Sequence, residues 1–236
     1  MLNPTAADDE AGHHHAAPQP RLITRRGMLT ASMAMAGAAL TGVIAPAFGQ
    51  KAELRPTSED MLGPFYPVTV PADQDADLTL IEGRSGRAAG QLLYVSGRVV
   101  NTRGEPVADA VIEIWQANAA GRYAHPGDDS KAPLDADFQG FARLRAGADG
   151  SYRFKTIKPG AYAGRTRHIH YDVKGRSTRL TTQMYFEGEP LNESDGLLKR
   201  RSPASRATLI SRNLAPSGKQ ERDALVVSWD IVLAAG

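Results

Sequence analysis

The sequence predicts an all-β protein, an antiparallel β-sandwich with long loops around a candidate site. Three observations carry that prediction. From about residue 90 onward, short segments rich in Val, Ile and aromatic residues recur between turn signals. No sustained 3.6-residue apolar period runs through the same region. Three polar, Gly- and Pro-rich connections, Ala117–Asp137, Lys158–Arg165 and Gly188–Pro203, are longer than hairpins require, and loops of that length on a β-scaffold carry function or are disordered.

The first strand is read at Leu92–Val100 and ends in the turn Asn101-Thr102-Arg103-Gly104. Within Ala110–Gln116, Val111, Glu113 and Trp115 alternate against Ile112, Ile114 and Gln116, which is the period of a pleated strand. Phe141–Arg145 and Ser151–Thr156 follow, the second after the turn Ala148-Asp149-Gly150. Arg167–Val173, Leu180–Phe186 and Ala224–Leu233 complete the set, while Asp195–Lys199 and Ser202–Asn213 admit a short helix or a further strand. The segment Gly63-Pro64-Phe65-Tyr66-Pro67 is a stiff aromatic arm suited to packing over the sheet or against a second subunit.

At 236 residues, with 42% hydrophobic and 23% charged residues, the chain suits one domain rather than two. Residues 1–49 read as an export signal: Thr24-Arg25-Arg26-Gly27-Met28-Leu29 has a twin-arginine pattern, and Leu29–Ile44 is apolar but short and rich in Ala and Gly. Ala45, Ala47 and Gly49 suit cleavage near residue 47 or 49, so the expected location is periplasmic or secreted. Residues 50–90 then form an N-terminal arm and residues 91–236 the sandwich domain. The net charge of +2 is too small to argue for nucleic acid or an anionic membrane. The absence of cysteine rules out disulfides and restricts any metal site to nitrogen and oxygen donors.

Six histidines occur, three of them in the tract His13–His15 upstream of the signal arginines. His125, His168 and His170 remain for a folded site. In an extended segment His168 and His170 point to one face and Ile169 to the other, so a strand offers two imidazoles to one ligand. A His-x-His pair alone is a weak signal, equally compatible with surface or hydrogen-bonded histidines. On their own, Tyr123 and Tyr162 read as loop and packing tyrosines, Arg165 as a solvated loop charge, and His125 as a loop histidine. Trp115 and Trp229 read as core, and Tyr185 as a packing residue beside Met184 and Phe186.

Longer stretches add information. Val107–Tyr123, Ala132-Pro133-Leu134-Asp135, Thr156-Ile157-Lys158-Pro159-Gly160, His168-Ile169-His170, Gln183–Gly188 and Trp229-Asp230-Ile231-Val232-Leu233 occur in that order. Together they resemble the intradiol ring-cleaving dioxygenases, those of protocatechuate type most, over roughly residues 57 to 234. The resemblance implies a non-haem Fe(III) centre held by Tyr123, Tyr162, His168 and His170, with Tyr162 the axial ligand that gives way to substrate. It implies that a catechol-type substrate and O₂ react, both oxygen atoms entering a cis,cis-muconate product. Arg165 matches the arginine that stabilises developing negative charge, and Gln183 a polar residue of the oxygen-side pocket. Two phenolates and two neutral imidazoles suit a hard ferric ion, and a trivalent cation supplies the attraction that keeps phenols ionised near neutral pH.

Only Ala163–Arg167 separate Tyr162 from His168, fewer residues than in the protocatechuate pattern, with Gly164 where an aromatic residue stands there. A more open substrate pocket is expected. Residues 50–90 offer no helical dimerisation region of the kind catechol 1,2-dioxygenases carry, which leaves a homo-oligomer or a partner subunit open. Two other readings share the strand pattern. One is a non-enzymatic prealbumin-like or carbohydrate-binding sandwich, which has no need of both histidines and both tyrosines. The other is a hydrolase or oxidase using zinc or copper at the same histidines.

Overall fold

The computed structural model describes residues 52–235, so the export signal expected over residues 1–49 lies outside the described residues. Among the described residues nine strands follow one another: β1 (Leu92–Asn101), β2 (Val111–Trp115), β3 (Phe141–Arg145), β4 (Ser151–Ile157), β5 (His168–Lys174), β6 (Arg179–Phe186), β7 (Ile210–Leu214), β8 (Leu225–Ser228) and β9 (Ile231–Leu233). Hydrogen bonding joins them in the order β3-β2-β5-β6-β7-β8-β1-β4, with β9 also pairing β1. The pairs β2·β3, β2·β5, β5·β6 and β1·β4 are antiparallel, while β1 runs parallel to β8 and β9. Among the described residues no helix is long and apolar enough to cross a membrane. The segment Ser202–Asn213 contains both alternatives that its sequence allowed, a short helix α1 (Pro203–Ala207), capped by the Ser202 side chain, and then β7.

The strand expected over Ala224–Leu233 is two strands. Trp229 and Asp230 interrupt it: the Trp229 backbone N–H still donates to the Ser96 carbonyl of β1, but the Arg98 N–H goes to the Asp230 carboxylate in place of a backbone carbonyl, and the Trp229 indole N–H donates to the Thr208 carbonyl. Tyr152 Oη donates to the Trp229 carbonyl. Opposite the break stands Gly97, where an added Cβ would lie 1.8 Å from that carbonyl oxygen; only a residue without a side chain fits.

Strand parity decides what each face does. Ile112 and Ile114 of β2, Ile169, Tyr171 and Val173 of β5, and Leu180 and Met184 of β6 share the main core with Val95 and Val99 of β1 and Phe154 of β4. Tyr171 meets Tyr152 and Phe154 edge-on at 6.4 and 6.3 Å between ring centres. Each such aliphatic or aromatic side chain contributes about 1.5–3 kcal/mol by leaving water.

The opposite face of β2, β5 and β6 alternates as expected but is also buried. Glu113 and Trp115 are 2% and 1% exposed. The cause is the segment before β1. The aromatic arm lies over this face, Tyr66 meeting Trp115 edge-on at 5.0 Å while its hydroxyl donates to Glu113. Further along, the backbone of Thr57 and Asp60 binds the carbonyls of Val232 and Thr181. Leu78 and Ala88, in the same segment, are core residues.

Candidate active site

Register builds the site row by row. Across β3, β2, β5 and β6 the partners Phe141, Trp115, His170 and Gln183 stand side by side, and His168 pairs with Tyr185 in the next row. All share the face beneath the arm. His168 and His170 are each 2% exposed, and their Nε2 atoms stand 3.2 Å apart.

The two rings are oriented by different means. His168 Nδ1 lies 2.7 Å from the Thr166 carbonyl, an acceptor only, so Nδ1 carries the proton and Nε2 presents a lone pair. His170 makes no hydrogen bond at its buried Nδ1. Instead its ring stacks on Trp115 at 4.9 Å and 11°.

The two tyrosines arrive on loops. Gly121 and Gly160 bring these loops into backbone contact, Gly160 N–H donating to the Asn118 carbonyl. A Cβ on Gly160 would stand 2.3 Å from the Gly121 nitrogen. Beyond that contact Ala163 and Gly164 have φ values of +43° and +75°. The Arg165 N–H donates to the Tyr162 carbonyl at 2.7 Å. Consecutive positive φ values with this bond make a type I′ turn, so Tyr162 and Arg165 flank one tight reversal. The hydroxyls of Tyr123 and Tyr162 are 3.4 Å apart, and that of Tyr162 is 3.2 Å from His168 Nε2. Phe65 closes over both phenols at 4.6 and 6.0 Å between ring centres.

Two phenolic oxygens and two imidazole nitrogens therefore follow one another at steps of 3.2–3.4 Å. Ligand atoms sharing a first-row metal ion at ~2.0–2.1 Å stand roughly 3 Å apart, so the donor set fits one ion. Burial pushes the imidazoles toward the neutral, ligating form, His168 down to about 4 and His170 well below its ordinary value. Burial also raises both phenols, that of Tyr123 strongly. A bound cation is what would hold them as phenolates at neutral pH. Tyr123 is almost fully buried, whereas Tyr162 keeps an exposed flank.

Arg165 is not a solvated charge. Its Nε donates to Asp195 at 2.8 Å and its Nη2 to Gln183 at 2.7 Å and to Tyr185 Oη at 3.0 Å. The amide of Gln183 is fully engaged, since its nitrogen donates to the Met61 carbonyl. Its evident work here is to hold Arg165. Tyr185 does more than pack: its hydroxyl bridges Gln183 and Asp60, whose other oxygen meets Arg201. The parity of Gln183 and Tyr185, two residues apart on one strand, was the sequence signal for this. Asp195, in the Gly188–Pro203 loop, had none beyond its loop. His125 stays outside the donor cluster, its Nδ1 accepting from the Gly127 N–H and its ring meeting Phe65 at 5.6 Å.

The neutral imidazoles make a pH prediction for metal-free protein. Unfolded His168 binds a proton near pH 6.5, the folded residue only near 4, so between those values the unfolded state holds more protons. Stability therefore falls as pH drops from about 6.5 to 4, by about 3 kcal/mol from this residue. Urea midpoints of metal-stripped protein at neutral pH and near pH 4.5 measure it. A flat profile would mean that the histidines are not buried as neutral rings.

This β-fold carries two tyrosines and two histidines on one covered face, and comparison with known proteins gives the family. The model described as "Dioxygenase" matches residues 61–235, and the chain belongs to that family, the intradiol ring-cleaving dioxygenases. The protocatechuate 3,4-dioxygenase beta chain of Burkholderia cepacia is 41% identical over 189 residues, covering 76% of this chain and 80% of the relative. The alpha chain from the same organism is 31% identical, covering 70% and 88%. Among solved structures, the dioxygenase domain of a dioxygenase and carbohydrate-binding fusion from Streptomyces sp. SirexAA-E aligns with a TM-score of 0.59 at 30% identity, over 77% of this chain and all of that one. The activity is intradiol cleavage of a catechol-type aromatic with O₂.

Proposed function

We propose that Tyr123, Tyr162, His168 and His170 hold a ferric ion and that the exposed flank of Tyr162 is the substrate's point of entry. The observation that carries this reading is the unbroken run of four donors, two of them neutral imidazoles, at 3.2–3.4 Å spacing. Ferric iron bound there would supply the Lewis acidity that draws a catecholate and activates its ring toward O₂. The protein's own groups do the rest. Tyr162 is the phenol with room to leave its place, and its Oη can take a proton from a substrate hydroxyl. Tyr123, pinned beneath Phe65 with its N–H on Asp128, stays. Arg165 presents a cation to the negative charge that develops on the ring oxygen, and Phe65 excludes water above the phenols.

The tight turn at Ala163-Gly164 supports a substrate larger than catechol itself. Oxygen uptake over catechol, protocatechuate, hydroxyquinol and aryl catechols tests the range. The single core that residues of β2, β5 and β6 share with residues of β1 and β4 supports the sandwich reading. Similarity to both chains of a protocatechuate dioxygenase supports a partner subunit or a second copy of this chain. The twin-arginine pattern of residues 24–29 supports export to the periplasm, followed by removal of the signal.

Tyrosinate on Fe(III) gives a broad visible charge-transfer band, so the metallated protein should be wine-red. A colourless protein with a full complement of metal would remove the ferric assignment. Tyr162→Phe keeps the ring but loses the oxygen donor, and is expected to lose part of the band and to slow turnover by about 100-fold while still folding. Absorbance, turnover and a thermal melt on one preparation distinguish this from a packing role, which would show mainly in the melt.

A further inference from the structure

We propose that Asp195 is a positioning residue that couples the two halves of the active site, fixing the Arg165 guanidinium and the orientation of His168 together. The proposal rests on the ferric reading above and concerns a residue that neither the strand pattern nor the donor set includes.

Asp195 is fully buried. Its Oδ2 accepts from Arg165 Nε at 2.8 Å and from the Thr166 N–H at 2.9 Å, and its Oδ1 accepts from the N–H groups of Leu197 and Leu198, both at 2.9 Å. A carboxylate with four donors is ionised and rigid, and desolvation is offset by those bonds. The same residue whose N–H it binds, Thr166, offers its carbonyl to His168 Nδ1 at 2.7 Å. Thr166 is fixed a third time, its hydroxyl donating to Asn192, whose own amide donates to the Phe186 carbonyl.

Two lines therefore leave one carboxylate. The first runs through Arg165 to Gln183 and Tyr185. The second runs through Thr166 to the proton on His168 Nδ1, and so to the lone pair that faces Tyr162 and His170. His170 has no such support, being held by Trp115. The geometry makes Asp195 the place where a disturbance reaches substrate charge and metal ligand at once. Asparagine has almost the same shape but one acceptor oxygen in place of two, so at least one pair of donors loses its partner.

The test uses Asp195→Asn, Arg165→Gln and the double variant, each loaded with iron. Asp195→Asn is expected to lower kcat on the order of 10- to 100-fold, as losses behind a first ligand do. KM should change by less than about threefold, because Arg165 acts on charge that develops in the transition state. The tyrosinate band should shift in Asp195→Asn and stay in place in Arg165→Gln, since only the first disturbs His168. The double variant should turn over no faster than Arg165→Gln yet lose less than the product of the two single effects, because the Arg165 line is shared and the His168 line is not.

A lower melting temperature with kcat and the band unmoved would overturn the proposal, as would multiplying effects in the double variant. If Asp195→Asn fails to fold, unaltered protein loaded with diamagnetic gallium(III) decides. A slowly exchanging Arg165 Nε–H supports the pairing, and one exchanging at the rate of an exposed guanidinium overturns it. Failure of the ferric reading is separate and shows first in the unaltered protein, as full iron without the band.

Discussion

Replacing His170 with alanine is expected to abolish iron retention and ring cleavage and to leave a folded protein. The imidazole is deeply buried, stacked on Trp115, with its Nε2 against that of His168. Its Nδ1 has no hydrogen-bond partner. An unpartnered buried polar group costs about 1–3 kcal/mol, so the native ring is held at some expense to stability. Removing it relieves that cost and leaves a cavity beside Trp115; the two effects oppose each other, and the melt should move little. Function has no such compensation. One of four donors is gone, and activity should fall beyond the roughly 10- to 100-fold that losses behind a ligand produce. Elemental iron, visible absorbance and oxygen uptake on one preparation read the result. Full iron with normal turnover would show that His170 is a core residue and nothing more. His168→Ala should lose iron equally and fold less well, because it also strips the Thr166 carbonyl of its donor.

Much of this site was legible because strand parity is a local rule. His168 and His170 share a face with Gln183 and Tyr185 for the same reason that Ile169 and Met184 share the core, and a period of two displays it in the sequence. What parity does not reveal is what covers a face. Trp115 reads as core, but Glu113 on the same face alternates like a residue of a solvated strand edge, and it is buried where Tyr66, far earlier in the chain, folds over it. The break at Trp229 was hidden for a similar reason, since the run from Ala224 to Leu233 is uniformly strand-like and the indole's partner is Thr208. Tyr123 and Tyr162 carry no spacing signal of their own, and resemblance to a family was needed to single them out. Asp195 looks like any loop acid until Arg165, 30 residues earlier, is found against it. Periodicity reports neighbours along a strand; loop convergence depends on contacts between distant segments.

The convergence of the tyrosine loops yields the second large effect. Gly160→Ala is expected to cost most of the activity, although residue 160 touches no donor atom. The loops carrying Tyr123 and Tyr162 are tied by Asn118, whose carbonyl accepts from the N–H groups of both Gly121 and Gly160 and whose side chain accepts from Ala120 and Arg122. A Cβ at 160 would lie 2.3 Å from the Gly121 nitrogen and 2.6 Å from the Ala119 oxygen. Both are backbone atoms, with no flexible end to swing aside, so the loops themselves must separate. A shift of about 1 Å in a reacting group costs on the order of 100-fold, and here it would pull the two phenolic oxygens apart from their 3.4 Å spacing. Gly164→Ala is the matched control. A Cβ there meets nothing within 4 Å, so the change carries only the left-handed φ of +75°, about 1–2 kcal/mol. The control should therefore melt lower yet keep most of its colour, whereas Gly160→Ala should lose colour and iron together. If both variants keep the band and turn over alike, the close approach of the two loops does not set the tyrosines.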